Sequence, residues 1–347
     1  MKTDFLIVGQ GLAGSLLAWE LLRRDCKVVV VDNGKDNASL IAAGIINPIT
    51  GKRFVKTAEA DTLLPTAQLF YDQLAAFFKK VFYCKKPMLR IFGNHSELNH
   101  CLLRQQQVEY LPYLGQVNMS NSAIVGFPTR FGVMEQKQTG HLLTIPLLEQ
   151  LKKFFMGMNC YRQSVVDYQS VELGATLRWQ DITAKKLIFC EGYYGSQNPW
   201  FSGLPFRLAK GEILTFAHTL ALPDAMLNYG NWLLPVNSHT IRMGATFDRE
   251  FIDTLPSEGG KDILLRNLEL SGSELAQATV INHHAGVRPC TLDKYPFLGT
   301  HPQDSRIAIF NGFGAKGSLQ IPWYCQRFAD YLLNQIPLPS ACDIQRF

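Results

Sequence analysis

The sequence predicts an α/β fold in which one parallel sheet is assembled from distant parts of the chain. Residues 4–32 have the pattern of a strand, a glycine turn, a helix and a second strand. Two further apolar strands, at 186–191 and 307–310, come much later and fit the same sheet. Two strand-rich stretches, 84–138 and 206–285, differ in character, and we interpret them as excursions into a second domain.

The first strand and helix enclose a glycine motif. Residues 5–8 form a short apolar run, and Gly9, Gly11 and Gly14 follow in G-x-G-x-x-G spacing before a helix predicted over 12–24. In a dinucleotide site, Gly9 permits the turn, Gly11 admits a pyrophosphate and Gly14 lets the helix pack on the strands. The helix N-terminus offers N–H groups to the phosphates.

The second strand, 27–31, stops at Asp32, about 20 residues after the glycines. A carboxylate there accepts hydrogen bonds from both ribose hydroxyls and repels a 2′-phosphate, so NADP is disfavoured. Strand, glycines, helix and acid together predict a dinucleotide site. The alternative is a glycine-rich turn in an ordinary βαβ unit.

A second glycine loop, 311–317, lies between the strand at 307–310 and a helix predicted over 319–333. One nucleotide needs one such loop, so the second favours a long cofactor held at both ends. FAD fits, with its pyrophosphate at the first loop and its isoalloxazine ring at the last, where the helix N-terminus would stabilise the reduced anion. The late loop disfavours an NAD dehydrogenase. An incidental helix-entry turn is the alternative.

The composition narrows the class of protein. The chain has 347 residues, is 47% hydrophobic and 18% charged, and carries a net charge of +5 spread along its length. Short lysine pairs fit solvated faces, so nucleic acid is not expected as a partner. Eight cysteines include no C-x-x-C pair, and no metal site is predicted. No signal-peptide core or membrane span is visible, which predicts a cytoplasmic location.

With these motifs in place, the sequence resembles the superfamily of D-amino-acid oxidase, glycine oxidase and sarcosine oxidase. The resemblance rests on GQGLAG with Asp32, the small apolar stretch 39–44, CEGYYG, LAKGEIL, WLLPVNSHTIRMGAT, AGVRPCTLDKYPFLGT and NGFGAKGSLQIPW. It implies a Rossmann-type FAD-binding domain over 1–83, 139–205 and 286–347. A substrate domain with a large mixed or antiparallel sheet, over 84–138 and 206–285, would interrupt it.

Non-covalent FAD is expected, because Cys290 lies several residues beyond the flavin-linked cysteine of sarcosine oxidases. The predicted cofactor-binding residues come from both glycine loops, the second strand, the small apolar stretch and CEGYYG. They are Gly9, Gly11, Leu12, Ala13, Gly14, Asp32, Asn33, Ala43, Gly44, Glu191, Gly192, Gly312, Phe313, Gly314, Ala315, Lys316 and Gly317.

The resemblance implies hydride transfer to flavin N5 from a carbon next to an amine, with a small amine or amino acid as substrate. Oxygen or another acceptor would then reoxidise the flavin. Arg288, in G-x-R-P, matches the family arginine that clamps the substrate carboxylate. Lys316 matches a carboxylate-binding lysine, and Arg53 is a third candidate cation. The alternative for Arg288 is a structural arginine paired with Asp293 or with a helix end, and the alternative for Lys316 is a solvated loop lysine.

The sequence also departs from these relatives. Trp232 begins a strand where D-amino-acid oxidases carry a substrate-binding tyrosine, and Tyr229 is out of register. No general base is nominated. Adjacent residues on a strand face opposite ways, so at most one of His283 and His284 faces the site, and an ordinary satisfied histidine is favoured.

Three other functions stay open. The first is the flavin domain of tRNA wobble-uridine modifying enzymes, although a methyltransferase-like domain and a strong basic stripe are absent from this sequence. The second is a hydroxy-acid dehydrogenase that passes electrons to a quinone or other acceptor. The third is a non-enzymatic FAD-dependent scaffold or sensor, against which Arg288 and Lys316 argue.

Overall fold

The computed structural model describes residues 1–35, 37–119, 124 and 126–347. Its helices are α1 (Leu12–Leu22), α2 (Ala38–Ile41), α3 (Ala60–Phe78), α4 (His95–Gln105), α5 (Thr144–Gly157), α6 (Glu258–Leu270) and α7 (Gly317–Asn334). Its strands are β1 (Lys2–Val8), β2 (Val28–Asp32), β3 (Ile45–Ile46), β4 (Ile49–Thr50), β5 (Val55–Lys56), β6 (Tyr83–Lys85), β7 (Met88–Ile91), β8 (Leu114–Asn118), β9 (Val133–Gln136), β10 (Gly140–Leu142), β11 (Tyr161–Gln163), β12 (Val171–Leu173), β13 (Leu177–Trp179), β14 (Ile182–Phe189), β15 (Ala209–Ala217), β16 (Met226–Asn228), β17 (Trp232–Asn237), β18 (Thr240–Gly244), β19 (Thr279–Arg288), β20 (Phe297–Thr300) and β21 (Ile307–Asn311).

The first large sheet contains the parallel strands that the sequence predicts. Strands β11, β2, β1 and β14 lie side by side and parallel, and β21 pairs in parallel with the last residues of β14. Strands β12, β13 and β20 extend this sheet in antiparallel pairs. Because the central strands are parallel, their carboxyl ends meet at one edge. Val8, Asp32, Phe189 and Asn311 mark that edge.

Both faces of this sheet are buried, which explains its apolar strands. Along β1, Phe5 and Ile7 pack on the side of α1, α3, α5 and α7. Leu6 and Val8 pack on the opposite side, among aromatic residues such as Trp179. Successive side chains of a strand alternate between faces, so one apolar run serves two cores.

The second large sheet has the order β19–β15–β18–β17–β16–β7–β9–β8. Its neighbouring strands are antiparallel except for β16 and β7, so the expected mixed or antiparallel sheet is confirmed. Helix α6 covers one face through Leu264 and Leu268. The predicted domain division remains a prediction, and its boundary after residue 285 falls inside β19.

Several predicted element ends shift for local reasons. The sequence pattern predicts a helix over 61–82, but α3 ends at Phe78, because Lys79 takes a left-handed conformation with φ of 52°. The pattern also predicts a helix over 262–270, and α6 begins four residues earlier, at Glu258, because the Ser257 hydroxyl accepts a hydrogen bond from the Gly260 N–H. The pattern also predicts a short strand over 122–127; residues 122, 123 and 125 lie outside the described part of the chain, and Ile124 and Phe127 form an isolated bridge.

Candidate functional site

A cavity of about 460 Å³ lies between the two sheets, at the carboxyl edge of the parallel strands. This volume is in the usual range for ligand and cofactor pockets. Its walls come from the first glycine loop, the segment that contains α2, the end of β14, strands β15, β17 and β19 of the second sheet, and the last glycine loop. The cavity therefore joins segments more than 300 residues apart in sequence, from Gly9 to Ile321.

Most of the predicted cofactor-binding residues line this cavity. They are Gly9, Gly11, Leu12, Ala13, Asp32, Asn33, Ala43, Gly44, Glu191, Gly192, Phe313, Gly314, Ala315 and Gly317. The other three, Gly14, Gly312 and Lys316, lie behind the wall rather than in it. Gly14 is needed for packing, because a Cβ there would lie 2.0 Å from the carbonyl oxygen of Gly9.

The first loop is arranged to receive an anion and a diol. Asp32 is fixed by two backbone donors, since its Oδ2 accepts from the Gln10 N–H at 2.7 Å and its Oδ1 from the Gly34 N–H at 2.7 Å. Helix α1 has no side-chain N-cap, although the Leu12 N–H donates to Ser39 Oγ at 3.0 Å. Its remaining first-turn N–H groups are available to phosphate oxygens.

The last loop presents a second helix end to the same cavity. Helix α7 also lacks a side-chain N-cap, and Ser318 in its first turn lines the cavity. Asn311 connects this loop to the end of β14, because its Nδ2 donates to the Gly192 carbonyl oxygen at 2.8 Å. Two uncapped helix ends facing one cavity fit a cofactor with a diphosphate and a distant electron-accepting ring.

The sequence did not reveal the segment after β11, which lines the cavity with Val166 and Tyr168. The Tyr168 hydroxyl donates to Glu191 Oε1 at 2.9 Å, and Asn198 Nδ2 donates to Glu191 Oε2 at 2.8 Å. Burial raises the pKa of the Glu191 carboxyl to about 7. The position of this segment in the fold could have revealed it, because β11 is parallel to β2 and ends at the same edge of the sheet.

Arg288 lines the cavity near the last glycine loop. Its Nη1 donates to the carbonyl oxygens of Thr246 at 3.2 Å and Lys210 at 3.3 Å. Burial lowers the pKa of its guanidinium. Asp293 is paired with Arg346 instead, at 2.8 Å, and in the described part of the chain Arg288 forms no ion pair.

The other two candidate cations lie elsewhere. Lys316 Nζ donates to Thr57 Oγ1 at 2.9 Å, and burial, helped by the charge of Lys294, lowers the pKa of its ammonium. Arg53 is exposed on the turn between β4 and β5. Neither side chain lines the cavity, so the structure does not bring the three predicted cations together.

The residues discussed as departures also have definite places. Trp232 lines the cavity, whereas Tyr229 packs on the other face of the sheet, with its ring 4.9 Å from that of Phe127. His283 Nε2 lies 2.7 Å from Glu212 Oε2, also away from the cavity. The Cys290 thiol, whose pKa is raised by burial, lies behind Gly314.

Metal sites and membrane-spanning helices are both absent from the described residues. They contain no group of three or more His, Cys, Asp or Glu side chains arranged to hold a metal ion. None of their helices has both the length and the apolar character needed to cross a membrane.

Comparisons with known proteins identify the family of this chain. The model of the DAO family, FAD dependent oxidoreductase, matches residues 4–331. The chain is 22% identical to glycine oxidase of Pseudomonas putida, over 97% of this chain and 96% of that protein. Among solved structures, glycine oxidase from Geobacillus kaustophilus superposes with a TM-score of 0.82 at 20% identity, covering 97% of this chain and 96% of that one. Iminodiacetate oxidase from Chelativorans sp. BNC1 gives 0.81 at 19% identity, covering 98% of each.

The predictions of an oxidoreductase fold and of FAD bound without a covalent link are confirmed by these matches. The resemblance to amino-acid oxidases is confirmed as well. Because the family match runs through both glycine loops and both large sheets, this chain belongs to the DAO family of FAD dependent oxidoreductases.

Proposed function

We propose that this enzyme oxidises the C–N bond of an amino acid or of a secondary amine that bears a carboxylate. Arg288 carries the proposal, because it is a guanidinium at the cavity wall without a carboxylate partner in the described chain. A partly buried charge that lacks a counter-ion is costly, and a bound carboxylate would remove that cost through two parallel hydrogen bonds. The two solved oxidases are named after glycine and iminodiacetate, and both compounds are amines that carry carboxylates.

When bound, FAD supplies an electron-poor ring that accepts a hydride at N5. Asp32 would bind the ribose hydroxyls of FAD, and the N-terminus of α1 would bind its diphosphate. The N-terminus of α7 would face the ring, and Arg288 would fix the substrate carboxylate. A fixed carboxylate sets the orientation of the neighbouring carbon, which is the main requirement for hydride transfer.

The wall around Arg288 is largely apolar, with Ile213, Trp232, Ala245 and Phe313 lining the cavity. Such a wall excludes water and favours a neutral amine, whose nitrogen lone pair forms the C=N bond as the C–H electron pair leaves. The remaining N–H proton passes to solvent, and water then hydrolyses the imine. We assign no general base, because His283 is engaged by Glu212 on the far side of the sheet.

Anaerobic bleaching of the bound flavin tests the proposal directly. Glycine, N-methylglycine, proline and a panel of D- and L-amino acids are mixed with the purified yellow protein, and the loss of visible absorbance is followed. At least one carboxylate-bearing amine should bleach the flavin. Bleaching only by amines without a carboxylate would contradict the proposed role of Arg288.

The alternatives predict different outcomes in the same assay. Bleaching by 2-hydroxy acids alone would identify a hydroxy-acid dehydrogenase, and bleaching by tRNA alone would identify an enzyme that acts on an RNA-borne amine. Readmitting air distinguishes oxygen from other electron acceptors. Rapid recovery of the flavin colour together with formation of hydrogen peroxide would identify oxygen as the acceptor.

A further inference from the structure

The loop after β18 places two arginines around one exposed phenyl ring. Phe247 is 58% exposed and lies two residues after Ala245, which lines the cavity. The guanidinium carbon of Arg288 lies 5.5 Å from the centre of the Phe247 ring, and that of Arg249 lies 5.2 Å from it. The ring therefore contacts a cation of the cavity wall, Arg288, and a second cation outside that wall, Arg249.

Arg249 lies near the end of the cavity that the last glycine loop lines, rather than on a remote surface. Burial raises the pKa of Cys290, and both Arg288 and Arg249 act to lower it, so both cations lie within electrostatic reach of this sulfur. The same sulfur would lie 3.3 Å from a Cβ at Gly314, in the loop that lines the cavity. Arg249 is thus tied to the last glycine loop through Cys290.

Neither of its sequence neighbours, Asp248 and Glu250, forms a salt bridge with Arg249 in the described part of the chain. Asp248 is used locally, because its Oδ1 accepts from the N–H groups of Glu250 at 2.7 Å and Phe251 at 3.3 Å. Among the described residues, Arg249 forms no ion pair, and the residue as a whole is exposed. Its partner in the structure is the ring of Phe247.

The spacing fits a small molecule with two anionic groups. The two distances to the Phe247 ring place the guanidinium carbons no more than about 11 Å apart. Two carboxylate carbons joined by four bonds span about 5 Å. In a bidentate pair the guanidinium carbon and the carboxylate carbon lie about 4 Å apart, so a bent dicarboxylate would pair with both cations within this limit. A substrate with one carboxylate would use only Arg288.

We propose, building on the amine oxidation proposed above, that Arg249 binds a second carboxylate, so that the preferred substrates are amines carrying two carboxylates. Arg288 holds the carboxylate next to the reacting carbon, and Arg249 holds the distal one at the rim. The connecting chain lies along the exposed ring of Phe247. Preference for the dicarboxylate arises because a monocarboxylate leaves the rim cation without a partner.

A matched pair of amines tests this assignment on the holoenzyme. N-(carboxymethyl)glycine and N-methylglycine share the reacting carbon, nitrogen and first carboxylate, and only the former has a second carboxylate. Arg249→Gln should lower kcat/KM for the dicarboxylate by about fivefold or more and leave the monocarboxylate within about twofold. Arg178→Gln, which removes an exposed arginine paired with Glu172 on an edge hairpin, should change neither value. Equal effects of Arg249→Gln on both amines would overturn the proposal.

Binding of unreactive analogues separates this inference from the proposed reaction. Thiodiacetate and (methylthio)acetate replace the amine nitrogen by sulfur, and titration calorimetry measures their dissociation constants. Arg249→Gln should raise the dissociation constant of thiodiacetate by about fivefold or more and leave that of (methylthio)acetate nearly unchanged. Arg249→Lys should restore part of the lost affinity for thiodiacetate. A protein that oxidises no amine would contradict the proposed function, whereas equal binding of both thioethers by the wild type would overturn the second carboxylate site.

Discussion

Gly211 and Arg288 lie on adjacent strands, so close that a Cβ on Gly211 would be 2.0 Å from Nη2 of Arg288. The guanidinium thus rests on the backbone of β15, and no other residue type at position 211 leaves room for it. Its two hydrogen bonds to carbonyl oxygens fix the plane of the group. The shape of β15 therefore determines where a substrate carboxylate would be held.

Replacement of Gly211 by Ala should displace Arg288 without removing it. We expect KM for a carboxylate-bearing amine to rise about tenfold or more, because the guanidinium loses its backbone acceptors or its position. Steady-state kinetics measure the change, and flavin content should stay near one per chain. Gly203→Ala is the control, because a Cβ at Gly203 meets no atom within 4 Å. A normal KM in Gly211→Ala would mean that Arg288 does not bind the carboxylate.

The three candidate cations should rank clearly in kinetics. Arg288→Leu should raise KM for a carboxylate substrate about 100-fold, since a charge-assisted bidentate pair is lost. Lys316→Gln should change KM less than about threefold, because the ammonium is already bonded to Thr57 and lies behind the wall. Arg53→Gln should have no effect. A larger effect of Lys316→Gln than of Arg288→Leu would reverse the assignment of these two residues.

Gly14→Ala should weaken both the fold and cofactor binding. The added methyl group would collide with the Gly9 carbonyl, so helix α1 must move away from the strand. We expect the free energy of unfolding to fall by about 1–3 kcal/mol, with partial loss of FAD. Urea denaturation and the ratio of visible to ultraviolet absorbance measure these effects. Gly157→Ala, at the open end of α5, should be neutral or slightly stabilising.

Glu191 should make stability depend on pH in a defined window. Its pKa rises from 4.5 to about 7 on folding, because burial disfavours the carboxylate. The folded protein then binds more protons than the unfolded chain between these values, so the free energy of unfolding falls as pH increases from about 4.5 to 7. The full effect is on the order of 3 kcal/mol. Denaturation of the wild type and Glu191→Gln at several pH values measures it, and parallel curves would contradict the expectation.

The sequence predicted those parts of the site that depend on local pattern. Glycine spacing and apolar runs located β1, α1, Asp32, β14 and the last loop, since each is defined within about 30 residues. The neighbours of Arg288 were not predictable in this way. Asp293, five residues away in sequence, pairs with Arg346, and the acceptors of Arg288 come from Lys210 and Thr246. Such partners depend on the order of strands in a sheet with long-range pairing, which short patterns do not encode.

The region after β11 shows the same limit. Tyr168 has no motif of its own, and it reaches the cavity because β11 joins the parallel sheet beside β2. Its role follows from the position of a strand end, and that position is known only when the strand order is known.

Strand β14 pairs its last residues, 187–189, with β21, which begins at Ile307. During synthesis on a ribosome, this edge stays without its partner while more than 100 further residues are made. The apolar edge is a hazard for the nascent chain, because an open strand invites pairing with other chains. The salt bridge of Arg24 with Asp330, at 2.6 Å, also joins residues that are made more than 300 positions apart. Because residues of the last glycine loop line the cavity, we expect FAD to bind only after residues 311–317 have been made.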